Sequence, residues 1–221
     1  MSNPNAGGDL NNEWEDRGDV AWNEFDWERY LREQDAEVDR YVQLYEACKD
    51  PAKRIDDVAE QMQWGEAGWV EDDAAADDEE EEDDEDDVYT LHKNPIYIAT
   101  KGIYLVLTRS WQKLAADPAR VPPPLALALL DSFQRGQDLS MQAVHALDFG
   151  DYAMAVSLFK RALAALNASF AIINADAALR LPRVGAWRDE AMPRLFDLRE
   201  VWLRVIAECR EELERPIEDE E

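Results

Sequence analysis

The sequence predicts an all-α fold, an antiparallel four-helix bundle preceded by an acidic helical arm and a disordered acidic linker. Three observations predict it. Apolar residues recur at steps of three and four, the spacing of one helix face, where a strand would alternate. The breaks between these stripes are short and carry Pro or Gly, so consecutive helices turn back on one another. The chain is 46% hydrophobic with eight Trp in 221 residues, enough apolar material for a core.

Residues 1–20, rich in Asn, Gly and Asp, show no structural period and read as disordered. An acidic helical pair is expected over 21–70. In its first helix Trp27, Leu31, Gln34, Val38, Tyr41, Tyr45 and Cys48 form one stripe. Asp50 then reads as an N-cap with Pro51 at the first helical position, ahead of Ala52, Ile55, Val58, Ala59 and Met62. The stretch 71–92 is expected to be a disordered linker. Its run at 71–87 holds 14 acidic residues, and eight like-charge pairs at i,i+4 would oppose a helix by roughly 2–4 kcal/mol.

The bundle is placed at 93–217, with an acidic tail at 218–221. Tyr97, Tyr104, Leu107, Trp111 and Leu114 share a face of its first helix, which "AADPARVPPP" ends. Leu125, Leu129, Phe133, Ser140, Val144 and Leu147 face inward on the second, where Gly136 and Ser140 leave room for close helix approach. "FGDY" leads to a third helix striped by Tyr152, Ala155, Val156, Phe159, Ala162, Leu163, Leu166, Phe170 and Ile173. "RLPRVGAWRD" is expected to break it before a last helix carrying Leu195, Leu198, Trp202, Val205 and Cys209.

The net charge of -27 is divided unequally. Residues 1–92 carry 32 Asp or Glu against 7 Lys or Arg, and 93–221 carry 18 against 16. Such a front end repels duplex phosphates, so direct nucleic-acid binding is not expected. The run "NPIYIATKGIYLVL" falls short of the roughly 20 residues a bilayer requires, the N-terminus lacks a basic and apolar leader, and a cytoplasmic protein with no membrane contact is expected. Cys48 and Cys209 lie on apolar faces without paired spacing and read as buried thiols.

No catalytic, cofactor-binding or metal-ligating residue is assigned. The chain has two histidines, His92 and His145, and no Glu between Lys93 and Asp189, so a carboxylate-bridged metal pair lacks its ligands. His145 can meet Asp148 on one helix face, which is short of a metal site. Neither a phosphate-binding glycine loop nor a nucleophile elbow occurs.

The stretch "GDYAMAVSLFKRAL", through Gly150, Asp151, Tyr152, Ala155, Phe159, Ala162 and Leu163, resembles the second half of a tetratricopeptide repeat. Leu139 and Ala143 extend the likeness over residues 139–167, with Asn167 where that family usually has proline and Gln142 and Ala146 where it has larger residues. The resemblance implies a protein-binding scaffold. No second copy follows at a 34-residue step, and Ala155 and Ala162 also suit any tightly packed hairpin.

The expected function is therefore a non-enzymatic interaction module, an adaptor or scaffold whose partner is another protein, basic in one version. Acid interleaved with bulky aromatics marks the arm as the contact surface, with Trp22, Trp27, Tyr41, Tyr45, Trp64 and Trp69 as candidate residues. Two alternatives stand beside it: a polyanion that binds basic proteins or mimics nucleic acid, and an enzyme or ligand-binding bundle with a site the sequence does not display. The same aromatic load leads us to expect the first helix to dock on the bundle through its stripe.

Overall fold

In the computed structural model, the structure describes residues 23–48, 50, 52–64 and 94–215. The expectations placed on 1–20, on the linker 71–92 and on the tail lie outside them. The protein is all-α: seven helices, α1 (Glu24–Ala47), α2 (Arg54–Gln61), α3 (Pro95–Ala115), α4 (Pro123–Asp148), α5 (Tyr152–Ile173), α6 (Asp176–Leu179) and α7 (Pro182–Glu214), account for the regular structure of the described residues.

Helix ends follow local chemistry. Asn23 caps α1 in a reciprocal box with Asp26, and the Asn94 side chain accepts from the amides of Ile96 and Tyr97 to open α3. Between α4 and α5, Gly150 adopts φ 69°, a left-handed conformation that closes the α4 end, and Asp151 then accepts from the Met154 amide.

Helices α3, α4, α5 and α7 pack in a ring, each touching its chain neighbour, with α7 returning to α3. Trp202 meets Thr100 while Trp187 meets Ser110, so α3 and α7 run in opposite directions. Trp111, Trp202, Tyr104, Phe133, Phe159 and Leu129 are fully buried at the centre. Such a side chain contributes about 1.5–3 kcal/mol when taken out of water. Each core indole N–H also finds an acceptor: Trp111 the Ala126 carbonyl at 3.1 Å, Trp187 the Ser110 hydroxyl at 3.0 Å and Trp202 the Thr100 hydroxyl at 3.1 Å.

The α4–α5 contact uses small residues. Ser132 and Ser169 bring their hydroxyl oxygens to 2.8 Å, and Ala143, Ala155 and Ala162 are buried between the helices. Gly136 has Tyr104 against it, so a side chain there would collide with the Tyr104 hydroxyl. Helix α5 is also the one described helix long and apolar enough, by length and composition, to cross a membrane, which the shorter α3 run did not suggest. Here its apolar face lies against α4 and α7.

Two boundaries differ from the sequence reading. Most of "RLPRVGAWRD" belongs to the last helix instead of breaking the chain before it, because Pro182 stands at the first turn, where its missing N–H is not needed, and Val184 and Trp187 are buried on the body. The break lies earlier, around the four-residue α6. Asp50 does not cap α2: its side chain accepts from the Ala52 amide at 3.0 Å in a local turn, and helical bonding begins at the Lys53 carbonyl, which accepts from Asp57.

Candidate functional site

The site is the seam where the arm, α1 and α2, lies against α3 and α7. Along α1 the stripe divides into two halves. Gln34, Val38, Tyr41 and Tyr45 are buried against the body, whereas Trp27 is 52% exposed and Leu31 48%. Phe25, on the opposite face of the helix, is 72% exposed. Docking through the stripe thus holds for the C-terminal half of the helix.

Close approach makes the seam. A methyl group at Gly102 of α3 would lie 2.7 Å from Cδ1 of Tyr41 and 3.3 Å from Cγ2 of Val42, so the bare glycine backbone lets the Tyr41 ring lie on α3. Tyr41 stacks between Tyr45, at 5.7 Å and 27°, and Trp64, at 5.6 Å and 15°. Nearby, Lys101 donates to Gln34 at 3.2 Å and to Asp35 at 3.4 Å.

Beneath the aromatic stack sits a buried charged group. One carboxylate oxygen of Asp197, on α7, accepts from Arg54 Nε at 2.8 Å, from Arg54 Nη2 at 2.5 Å and from the Tyr45 hydroxyl. The Arg54 guanidinium also lies 4.4 Å above the Tyr45 ring. Burial opposes the Arg54 charge, and Tyr45, Asp197 and Glu46 outweigh it, so its pKa is raised. Burial, reinforced by the Asp197 charge, pushes the phenols of Tyr45 and Tyr41 well above their ordinary range. Tyr41 and Tyr104 bury hydroxyls that have no hydrogen-bond partner among the described residues.

Two surface pairs flank this group. Arg194 of α7 grips both carboxylate oxygens of Glu46 on α1, at 2.7 and 2.8 Å, and Arg204 joins Asp56 of α2 to Glu200. A groove of about 270 Å³ opens between α2 and α7, with Ile55, Phe196, Asp197, Arg199 and Leu203 among its walls.

The sequence candidates fall into three groups. Tyr41 and Tyr45 are 1% exposed and, with half-buried Trp64, build the internal seam rather than an outer surface. Trp27 is on the surface, edge-on to Tyr30 at 5.9 Å. Trp22 and Trp69 lie outside the described residues. Arg54, Asp197, Phe196 and Leu203 were missed, and only Phe196 and Leu203 gave a signal, since they are apolar yet off the α7 core stripe. Cys209 is buried, with its thiol pushed up to about 11 chiefly by burial, while Cys48 is half-buried at the end of α1. His145 lies 4.0 Å from Asp148 as the spacing predicts. Among the described residues no three His, Cys, Asp or Glu converge on a position that could hold a metal ion. Comparison with protein-family models, with curated proteins and with solved structures finds no match to this chain.

Proposed function

We propose that the protein is a non-enzymatic interaction module, an adaptor or scaffold in which the docked half of α1 holds its outer half out as a contact surface. One observation carries this reading: a single helical stripe is buried from Gln34 to Tyr45 and open at Leu31 and Trp27. Glu24, Asp26, Glu28 and Glu33 surround the open part, with Asp26 paired to Arg29 and Glu28 to Arg32, so it offers apolar contact in a setting that stays net acidic. A partner with an apolar groove rimmed by Lys or Arg fits that chemistry. The likeness of residues 139–167 to a tetratricopeptide hairpin supports the same class of function, because helical hairpins of that family present surfaces to other proteins.

The test is capture of partners from native lysate by the full chain and by Phe25→Glu and Leu31→Glu variants. Both positions are exposed, so the variants fold as the parent does. A specific partner lost in Leu31→Glu and retained at low salt by a chain with Gly/Ser at 71–87 fits the helix surface. A partner lost only when 71–87 is replaced, and released as salt rises, would move the function to the polyanion.

A further inference from the structure

We infer that the groove between α2 and α7 receives the outer half of α1 from a second copy of this chain, so that two copies exchange helix ends. The inference rests on the reading of α1 as a contact surface and names its occupant. At about 270 Å³ the groove is smaller than the usual small-molecule cleft and suits one or two large side chains. Phe196 is 49% and Leu203 40% exposed, two turns apart on one face of α7, with Arg199 between them. Ala52, in the turn before α2, and Ile55 of α2 form the opposite wall.

The groove's charges are committed internally with one exception. Asp197 holds Arg54 and Tyr45, and Arg204 holds Asp56 and Glu200. Arg199 alone among the cations of the groove makes no ion pair within the described residues. The occupant it favours is apolar and acidic. The outer half of α1 has that composition: Leu31 is half exposed, Trp27 lies one turn before it, and Glu24 lies two turns before it on the same face, without an ion pair among the described residues. A helix laid in the groove puts Leu31 beside Phe196 and Leu203 and a carboxylate near Arg199.

Its own α1 cannot fill the groove. Tyr45 is fixed on Asp197 at the groove, and Leu31 lies fourteen residues back along the same continuous helix, about 21 Å away at ~1.5 Å per residue. A second copy meets no such restriction. Because each copy carries both the helix end and the groove, a two-fold arrangement satisfies both pairs at once.

The test is sedimentation equilibrium of the full chain at about 100 µM, a concentration that reveals a weak dimer between two strongly anionic copies. The expected mass is twice 25.3 kDa. Leu31→Glu and Leu203→Glu should each weaken association about tenfold or more. An equimolar mixture of the two should recover a mixed dimer, because one helix end and one groove remain intact. Unchanged helical circular dichroism and melting establish that both variants fold. A monomeric wild type overturns the inference, and so does a dimer indifferent to both variants or a mixture that stays monomeric. A monomeric wild type whose partner capture is lost in Leu31→Glu refutes the exchange and leaves the contact-surface reading standing. A dimer abolished by Leu31→Glu without any effect on capture refutes that reading and leaves the exchange.

Discussion

Replacing Asp197 with Ala removes the acceptor shared by Arg54 and Tyr45. The side chains of Asp197 and Arg54 are each about 10% exposed, so the abandoned guanidinium is left nearly dry. Breaking a buried pair by removing one partner costs about 3–5 kcal/mol. Because Asp197 also borders the groove, some water reaches the site, and about 3 kcal/mol is expected. For a chain of this size that is a fall in melting temperature of about 6–12 °C. In a Tyr45→Phe background, which leaves no hydroxyl without its acceptor, replacing the pair together, Arg54→Met with Asp197→Leu, should cost about 1 kcal/mol or less, since neither charge is then stranded. Urea titration followed by tryptophan fluorescence and circular dichroism yields both values and their coupling. The seam needs its charged centre only if Asp197→Ala is much worse than the double variant. A single variant costing under about 1 kcal/mol, or a double variant equal to the sum of the two singles, would refute the reasoning.

Gly136→Ala should destabilise, because its methyl group meets the Tyr104 hydroxyl, at an overpacking cost of about 1–3 kcal/mol offset by up to about 1 kcal/mol of helix propensity. In a Tyr104→Phe background, which also removes a buried hydroxyl without a partner among the described residues, the same change should be near neutral in urea titration. Gly102→Ala should cost about 1–3 kcal/mol by pushing Tyr41 from α3, and should speed labelling of Cys48 by a thiol reagent. Stability should fall above pH 9: unfolded Cys209 releases its proton near 9.0 while the folded thiol holds it until about 11, so the stabilisation present below 9 is lost across that window. Cys209→Ala should flatten the first part of that slope, with the buried tyrosines acting from pH 10 upward. A chain starting at residue 33 should melt within about 2–4 °C of the parent, since the residues removed from the stripe are half exposed, yet lose the partner.

Most of the helical layout was legible because burial and periodicity agree in it. Leu107, Trp111, Phe133, Val144, Phe159, Leu166, Leu198 and Trp202 all occupy the faces their spacing marks, and all are buried. Where local signals compete, the sequence misleads. Pro182 and Gly185 look like a break, but a proline in the first turn costs nothing and Trp187 gains a buried place with its N–H on Ser110. The Arg54–Asp197 pair was not legible at all. Its members are separated by 143 positions, and nothing local distinguishes Asp197 from the acids around it on α7. A buried charge pair is a property of two surfaces meeting, not of either segment alone.

The divided stripe of α1 follows from a mismatch of lengths rather than from a change in composition. The spacing of Trp27, Leu31, Gln34, Val38, Tyr41 and Tyr45 is continuous, so periodicity assigns them one face and one fate. What differs is the surface opposite. Tyr30 lies near Tyr97 and Asp148, at the start of α3 and the end of α4, where these two described helices end. Tyr41 and Tyr45 lie over Gly102 and Asp197, well inside the body. A helix of 24 residues, about 36 Å long, therefore reaches past the described start of α3, and Trp27 and Leu31 are about half exposed at that end. An amphipathic helix anchored by stacked aromatics and a buried ion pair at one end presents the other end at a fixed angle. That lowers the ordering cost a free segment would meet on binding, which is the physical reason to place the proposed contact surface there.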